Sequence, residues 1–312
     1  MGPTASGKTA LAMRLCERFP FEIISVDSSQ VYRGMDVGTA KPSAEERAEY
    51  PHRLIDVCDP SEPYSAARFR EDALCEMAEI SARGRVPLLV GGTMLYFRTL
   101  ERGLSVLPPG DPEVRRRLED EARREGWAAL HRRLGEIDPE AAGRIGPRDA
   151  QRIQRALEIH AITGQPPTAA QRAARLGPAP YTVTKLAVSP GQRAELHRRI
   201  EVRFRRMLDD GLVEEARSLY TRGDLAASLP ALRTVGYRQV LQYLIGEVEY
   251  SEMVERGIYA TRQLARRQLT WLRREPGLAW FDSTQEGYEK EVIALLSRRF
   301  GGGGPGGRAA EH

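Results

Sequence analysis

Residues 2–9 read Gly2-Pro3-Thr4-Ala5-Ser6-Gly7-Lys8-Thr9, which satisfies the spacing Gly-x-x-x-x-Gly-Lys-Ser/Thr at every required position. The two glycines let backbone N–H groups converge on phosphate oxygens, and a helix running on from Thr9 would add the positive potential of its N-terminus. Lys8 would neutralise the outer phosphate, and the Thr9 hydroxyl would help hold Mg²⁺. This chemistry grips two adjacent phosphates, and a chance glycine-rich turn is the weaker reading. What is done with the phosphates is a separate question. Nucleotide hydrolases and many kinases place an aspartate at the end of a second apolar strand to organise Mg²⁺, but here the run Val86 to Val90 ends in Gly91-Gly92-Thr93. The acid instead follows the apolar run Glu22 to Val26, as Asp27, with Ser28, Ser29 and Gln30 after it. Such an aspartate serves as base for a nucleophile, as an outer Mg²⁺ ligand, or as the cap of a turn at the strand end.

Those residues need elements to position them. Short, nearly continuous apolar runs at 22–26 and 86–90, alternating with helical stretches at 9–18 and 64–83, predict a parallel sheet buried on both faces. From about Pro108 to Pro180 the pattern changes to periodic Leu, Ala and Ile among dense Arg and Glu, broken at Asp138-Pro139 and Gly146-Pro147. The stretch Thr163 to Pro180, with four prolines, reads as a return linker. Tyr181 to Ser189 alternates like a strand, and helices dominate from there to Arg299. The expected fold is α/β, a P-loop NTPase-like parallel sheet core with an inserted helical subdomain. Residues 1–107 form the first part of the core, 108–180 the helical insertion, 181–300 the second part and 301–312 a flexible glycine-rich tail. A phosphate loop ordinarily follows a buried strand, so the expectation is that a first, central strand is missing and that the natural start lies upstream of Met1.

Composition narrows the class. With 41% hydrophobic and 29% charged residues, the 312-residue chain is neither disordered nor membrane-spanning. Its three cysteines are odd in number and lack metal-binding spacing, which predicts reduced thiols in the cytoplasm. The net charge is only +4, yet the stretch Arg262 to Arg274 contains arginines at 262, 266, 267, 273 and 274 and no acid. It predicts local polyanion binding, or arginines that pair with acids elsewhere. His52, His131, His160, His197 and His312 are scattered and suggest no metal triad. Trp271, Trp280 and Phe281 read as core or interface packing.

Further motifs lie in order from residue 2 to about 283: ISVDSSQVYRGMDVGTAKP (24–42), PHRLIDV (51–57), YSAARFR (64–70), PLLVGGTMLY (87–96), DAQRIQRALEI (149–159), RFRRML (203–208), RTVGYRQV (233–240) and YATRQLARRQLTWLR (259–273). With these and GPTASGKT, the chain resembles the bacterial-type tRNA dimethylallyltransferases. The resemblance implies transfer of a dimethylallyl group from dimethylallyl diphosphate to N6 of the adenosine 3′ of the anticodon, position 37, in tRNAs reading codons that start with U. The loop 2–9 then holds a diphosphate leaving group. By the same resemblance Asp27 is the base, Thr93 and Arg203 act at the reacting groups, and Mg²⁺, held by Thr9, is the cofactor. Asp36 and Lys41 order the loop near the phosphates. Asp27, Ser28, Ser29, Gln30 and Thr93 lie at the target base. Arg115, the run Gln151-Arg152-Ile153-Gln154-Arg155 and the run Arg233-Thr234-Val235-Gly236-Tyr237-Arg238 hold the tRNA. The expected partners are the tRNA anticodon stem-loop and dimethylallyl diphosphate, with no membrane, for a cytoplasmic monomer. A small-molecule kinase of the same loop class is disfavoured by the Gly-Gly-Thr strand end. A prenyltransferase of free adenylate would need no anticodon-stem platform. A non-catalytic RNA-binding module would leave the phosphate loop and Asp27 without a purpose.

Overall fold

The computed structural model describes residues 1–225 and 229–300; the expected tail at 301–312 lies outside the described residues. The chain divides into two compact units, one of Met1–Arg98 with the residues from Tyr181 onward, the other of Thr99–Pro180.

The first unit opens with α1 (Lys8–Cys16), β1 (Phe21–Val26), α2 (Ala44–Glu49), β2 (His52–Arg53), α3 (Ala66–Ala82), β3 (Val86–Gly91) and α4 (Met94–Arg102), the last crossing the sequence boundary between units. β1 lies between β2 and β3 and is parallel to both, with Phe21 opposite Val86 and Val26 opposite Gly91. Every residue of β1 except Glu22 is buried, as a near-continuous apolar run in a parallel sheet requires.

The second unit is helical throughout: α5 (Pro112–Glu125), α6 (Trp127–Ile137), α7 (Pro139–Arg144), α8 (Ala150–Thr163) and α9 (Pro167–Ala173). Leu118, Leu130, Leu134, Ile153 and Leu157 form its core. The Asp138-Pro139 break is a helix start, and Asp111-Pro112 is another, because Asp111 and Asp138 cap free backbone N–H groups while Pro112 and Pro139 occupy the first turn. The same chemistry corrects the reading of Thr163 to Pro180 as a plain linker. Pro167 starts α9, since a proline at a helix's first position costs no hydrogen bond and already has the helical φ. The chain leaving α9 returns beside the chain entering the unit, where Leu176 N donates to Leu104 O at 2.7 Å and Ala179 N to Leu100 O at 2.8 Å.

The first unit resumes with β4 (Lys185–Ser189), α10 (Arg193–Asp209), α11 (Leu212–Thr221), α12 (Tyr237–Leu244), α13 (Tyr250–Leu272), β5 (Leu278–Asp282) and α14 (Tyr288–Phe300). β4 is shorter than the expected 181–189, and β5, parallel to it, interrupts a stretch read as helix. Met1 and Gly2 join the two sheets. Met1 N donates to Leu186 O at 2.7 Å, Val188 N donates to Met1 O at 3.0 Å, and Gly2 N donates to Gly91 O at 3.3 Å. Leu11 and Leu15 of α1 pack with Phe21, Val188 and, from α14, Val292 and Leu296, which seats α1 against the strands.

Candidate active site

The phosphate loop owes its shape to residues without bulk. Gly7, ahead of α1, takes φ 87°, a conformation that favours glycine. A Cβ at Gly2 would lie 2.5 Å from Val188 O and 2.6 Å from Ser6 Oγ. Lys8 Nζ donates to Pro3 O at 3.3 Å and lies at the pocket. Burial lowers its pKa to about 8, with Asp27 opposing and Arg203 reinforcing the shift. Arg203, on α10, donates to Thr4 Oγ1 and is also shifted down by burial against the pull of Asp27. Two desolvated cations facing one carboxylate leave an excess of positive charge, which an anion would neutralise.

Asp27 divides its work between its two oxygens. Oδ1 accepts from Ser29 N at 2.9 Å, Ser29 Oγ at 2.6 Å and Gln30 N at 3.4 Å, which closes the turn after β1. Oδ2 has no hydrogen-bond partner among the described residues. Thr93 stands beside it through the strand register: Thr93 N donates to Val26 O at 3.2 Å, and Thr93 Oγ1 accepts from Ser28 N at 3.0 Å. This approach depends on Gly91, where a Cβ would sit 2.0 Å from Val26 O. Gln30 is spent on structure, accepting from Ser25 Oγ at 3.0 Å and donating to Thr39 O and Ala40 O at 3.3 and 3.2 Å.

These groups line one pocket of about 380 Å³ together with Thr9, Ser28 and Ser29, and Arg233, Thr234, Val235 and Gly236 enter its wall. The rest of the expected RNA contacts are placed differently. Tyr237 is fully buried, and its hydroxyl donates to Glu215, so its side chain is a strut. Arg238 is exposed outside the pocket lining. In the helical unit Ile153 is also fully buried and serves packing. Arg115 and Arg155 both bind the buried Glu158, at 2.8 and 2.6 Å, while Gln154 donates to Glu119 at 3.0 Å. Gln151 and Arg152 are exposed. Lys41 does order its loop, through Asp36, Asp56 and Tyr32 O, but its side chain is buried away from the pocket lining.

Sequence reasoning missed two residues. Gln268, on α13, accepts from Thr4 N at 2.9 Å and donates to Gly92 O at 2.9 Å, so one side chain ties the phosphate loop to the end of β3. It is an uncharged residue inside an arginine run, and its signal is that it shares a helix face with Thr261 and Leu264. Glu215, on α11, accepts from the backbone N–H groups of Asp36, Val37 and Gly38 at 2.8, 2.8 and 3.0 Å and thereby holds the loop that Gln30 also grips. Nothing in its local pattern marks it. Within the arginine run the expected pairing with acids elsewhere holds for one residue. Arg262 pairs with Glu201 at 2.9 Å, whereas Arg266, Arg267, Arg273 and Arg274 are exposed without an acid partner among the described residues. Trp271 and Trp280 are exposed rather than packed in a core, and Phe281 packs beside β4.

The pocket fits Mg²⁺. The Thr9 hydroxyl is a hard oxygen lining it, without a hydrogen-bond partner among the described residues, and the Asp27 carboxylate adds negative charge in the same pocket. No group of three His, Cys, Asp or Glu residues suited to a metal occurs among the described residues. A cation there would complete its shell with phosphate oxygens and water, as Mg²⁺ does.

Comparison with known proteins agrees along the chain. The family described as IPP transferase matches residues 30–275, and that described as isopentenyl transferase matches residues 1–55. A tRNA dimethylallyltransferase of Coxiella burnetii (strain CbuG_Q212) is 55% identical over 296 residues, 95% of this chain and 98% of that protein. The crystal structure of a full-length tRNA isopentenylpyrophosphate transferase from Bacillus halodurans superposes with a TM-score of 0.70 at 37% identity, covering 96% of this chain and 95% of the other. A eukaryotic dimethylallyltransferase acting on tRNA gives a TM-score of 0.76 at 25% identity, over 96% of this chain and 77% of that one.

Proposed function

The chain belongs to the IPP transferase family and is a tRNA dimethylallyltransferase, and from that premise we propose which atoms it joins and which of its residues do the work. The donor is dimethylallyl diphosphate. The acceptor is N6 of adenosine 37, 3′ of the anticodon, in tRNAs that read codons starting with U.

That adenosine must leave the anticodon-loop stack, at a cost of a few kcal/mol, to bring its amine into the pocket. N6 forms a bond to C1 of the dimethylallyl group as the C1–O bond breaks and its electron pair leaves with the diphosphate. The amine is a poor nucleophile because its lone pair is delocalised into the ring, so proton removal matters. Asp27 Oδ2 takes the N6 proton, a role ordinarily contributing about 10²–10⁴ in rate. Lys8, Arg203 and the loop amides stabilise the charge growing on the diphosphate. Mg²⁺, held by Thr9, would add positive charge at the same oxygens. Ser28, Ser29, Thr93 and the wall from Arg233 to Gly236 position the base. Gln151, Arg152 and Arg238 serve the anticodon stem-loop from the surface, and Arg115, half exposed while paired with Glu158, adds to the same contact. No helix among the described residues is long and apolar enough to cross a membrane. The proposed working form is a monomer acting on tRNA in the cytoplasm.

The observation that carries this reading is the sharing of one pocket by Asp27, Lys8, Arg203 and Thr93. Mass spectrometry of nucleosides from unmodified tRNA, incubated with the protein, Mg²⁺ and dimethylallyl diphosphate, tests it. A dimethylallyl mass gain on adenosine 37 is expected. Modification at another nucleoside, or turnover of nucleotide without RNA, would overturn it.

A further inference from the structure

Beside Arg203 the wall of the catalytic pocket turns apolar. Ile200, Phe204 and Met207 of α10 line it, with Thr261 and Leu264 of α13 and Val235 between those helices in sequence. Positions 200, 204 and 207 share one helix face, and so do 257, 261 and 264. Thr261 adds no free hydroxyl to this wall, because its Oγ1 donates to Gly257 O at 2.8 Å. An apolar surface thus begins next to the guanidinium that holds the phosphate loop. An allylic diphosphate has its parts in the same order, an anionic head and then a hydrocarbon tail.

Phe204 is the member of that wall whose place is fixed from behind. Its side chain lines the pocket and is buried. Gly257 does not line the pocket, yet a Cβ there would lie 2.1 Å from Cζ of the Phe204 ring and 2.6 and 2.8 Å from its two Cε atoms. The ring edge therefore rests on bare backbone of α13. Glycine inside a helix is destabilising relative to alanine, and here the missing side chain gives the ring its seat. Main chain cannot swing aside, so the ring has no retreat from the pocket. At about 380 Å³ the pocket is near the lower end of the roughly 300–1,000 Å³ range of small-molecule sites, and it must take the adenine as well as the donor.

We infer that Phe204, seated on Gly257, sets the length of hydrocarbon tail the pocket accepts and so restricts the donor to a five-carbon allylic diphosphate. The inference rests on the reading of this pocket as the dimethylallyl diphosphate site. Geranyl diphosphate, the ten-carbon donor of the same chemistry, continues from the end of that tail and meets the ring.

Competition between the two donors for unmodified tRNA tests this, with the modified nucleosides quantified by mass spectrometry. Wild type is expected to prefer dimethylallyl diphosphate. Phe204→Ala should raise the ratio of geranyl to dimethylallyl transfer about tenfold or more, and Phe204→Leu, which keeps more of the buried volume, should raise it by less. A ring that served packing alone would change both donors alike. Gly257→Ala acts in the opposite direction, pushing the ring into the pocket, so KM for dimethylallyl diphosphate should rise about fivefold or more. Adding Phe204→Leu to Gly257→Ala should restore that KM, and thermal melts of each variant separate lost selectivity from lost folding. A donor ratio unchanged in both Phe204 variants would overturn the inference, as would wild type that uses the two donors equally. Transfer of neither group by wild type would overturn the reading of the pocket itself.

Discussion

Asp27 shows how one side chain can hold a turn and still have an oxygen for chemistry. Asp27→Asn keeps an oxygen to accept from Ser29 N but cannot take a proton. Turnover should therefore fall by about 10²–10⁴ while the affinity for dimethylallyl diphosphate is retained, measured by single-turnover kinetics beside direct binding. Equal loss of binding and turnover would make Asp27 a structural or metal residue instead. Lys8 predicts a pH dependence with two opposite signs. Its pKa falls from 10.5 to about 8 in the unliganded fold. As pH rises through about 8 the free enzyme loses this charge, so kcat/KM for dimethylallyl diphosphate should fall. The unfolded chain, however, still binds that proton between pH 8 and 10.5, so the Lys8 contribution to stability of the unliganded protein rises over the same window. Melting temperatures of wild type and Lys8→Met across pH 7–10 isolate that contribution, and a difference that does not vary with pH would refute it.

At the scale of elements, the site is made by cross-links between segments far apart in the chain. Gln268→Ala removes both bonds between the phosphate loop and Gly92, and the expected result is about a tenfold rise in KM for dimethylallyl diphosphate, near 1.4 kcal/mol. Gln268→Glu keeps an acceptor for Thr4 N–H and should fall between the two, whereas equal KM values for all three would exclude the role. Glu215→Ala strips three backbone N–H groups and the Tyr237 hydroxyl of one acceptor. Burial and that same carboxylate push the Tyr237 phenol up, so it remains a donor. The loss should cost about 1–3 kcal/mol, seen as a melting temperature several degrees lower. The contrast in legibility follows from range. The phosphate loop, β1, β3 and α3 are local patterns, and so was Asp27 at its strand end. β5 is too short to declare itself without β4 beside it, and α9 hid among prolines that also mark loops. Gln268 and Glu215 act on residues 264 and 177 positions away, across separations no window of sequence spans.

For the molecule as a whole, charge is distributed by pairing more than by composition. The helical unit spends many of its cations internally, Arg115 and Arg155 on Glu158 and Arg172 on Glu140 at 2.8 Å. Arg233 and Arg238 of the first unit have no acid partner among the described residues and are exposed. KM for tRNA should therefore climb steeply with salt, and replacing Arg233 or Arg238 by alanine should each lower the slope of log KM against log salt by about one if that side chain meets a phosphate. A slope that does not change would remove the residue from the RNA surface. The density of arginine suggests a protein whose evolutionary constraint lies in its charges, but the close pairing of the ends of β1 and β3 places it elsewhere. At position 91 any side chain meets main chain, which has no rotamer to change, and the strand end would separate the carboxylate from its threonine neighbour. In a saturation library selected for tRNA modification, many arginines could exchange and drift, while position 91 would return glycine alone. The least changeable part of this enzyme is then a hydrogen atom.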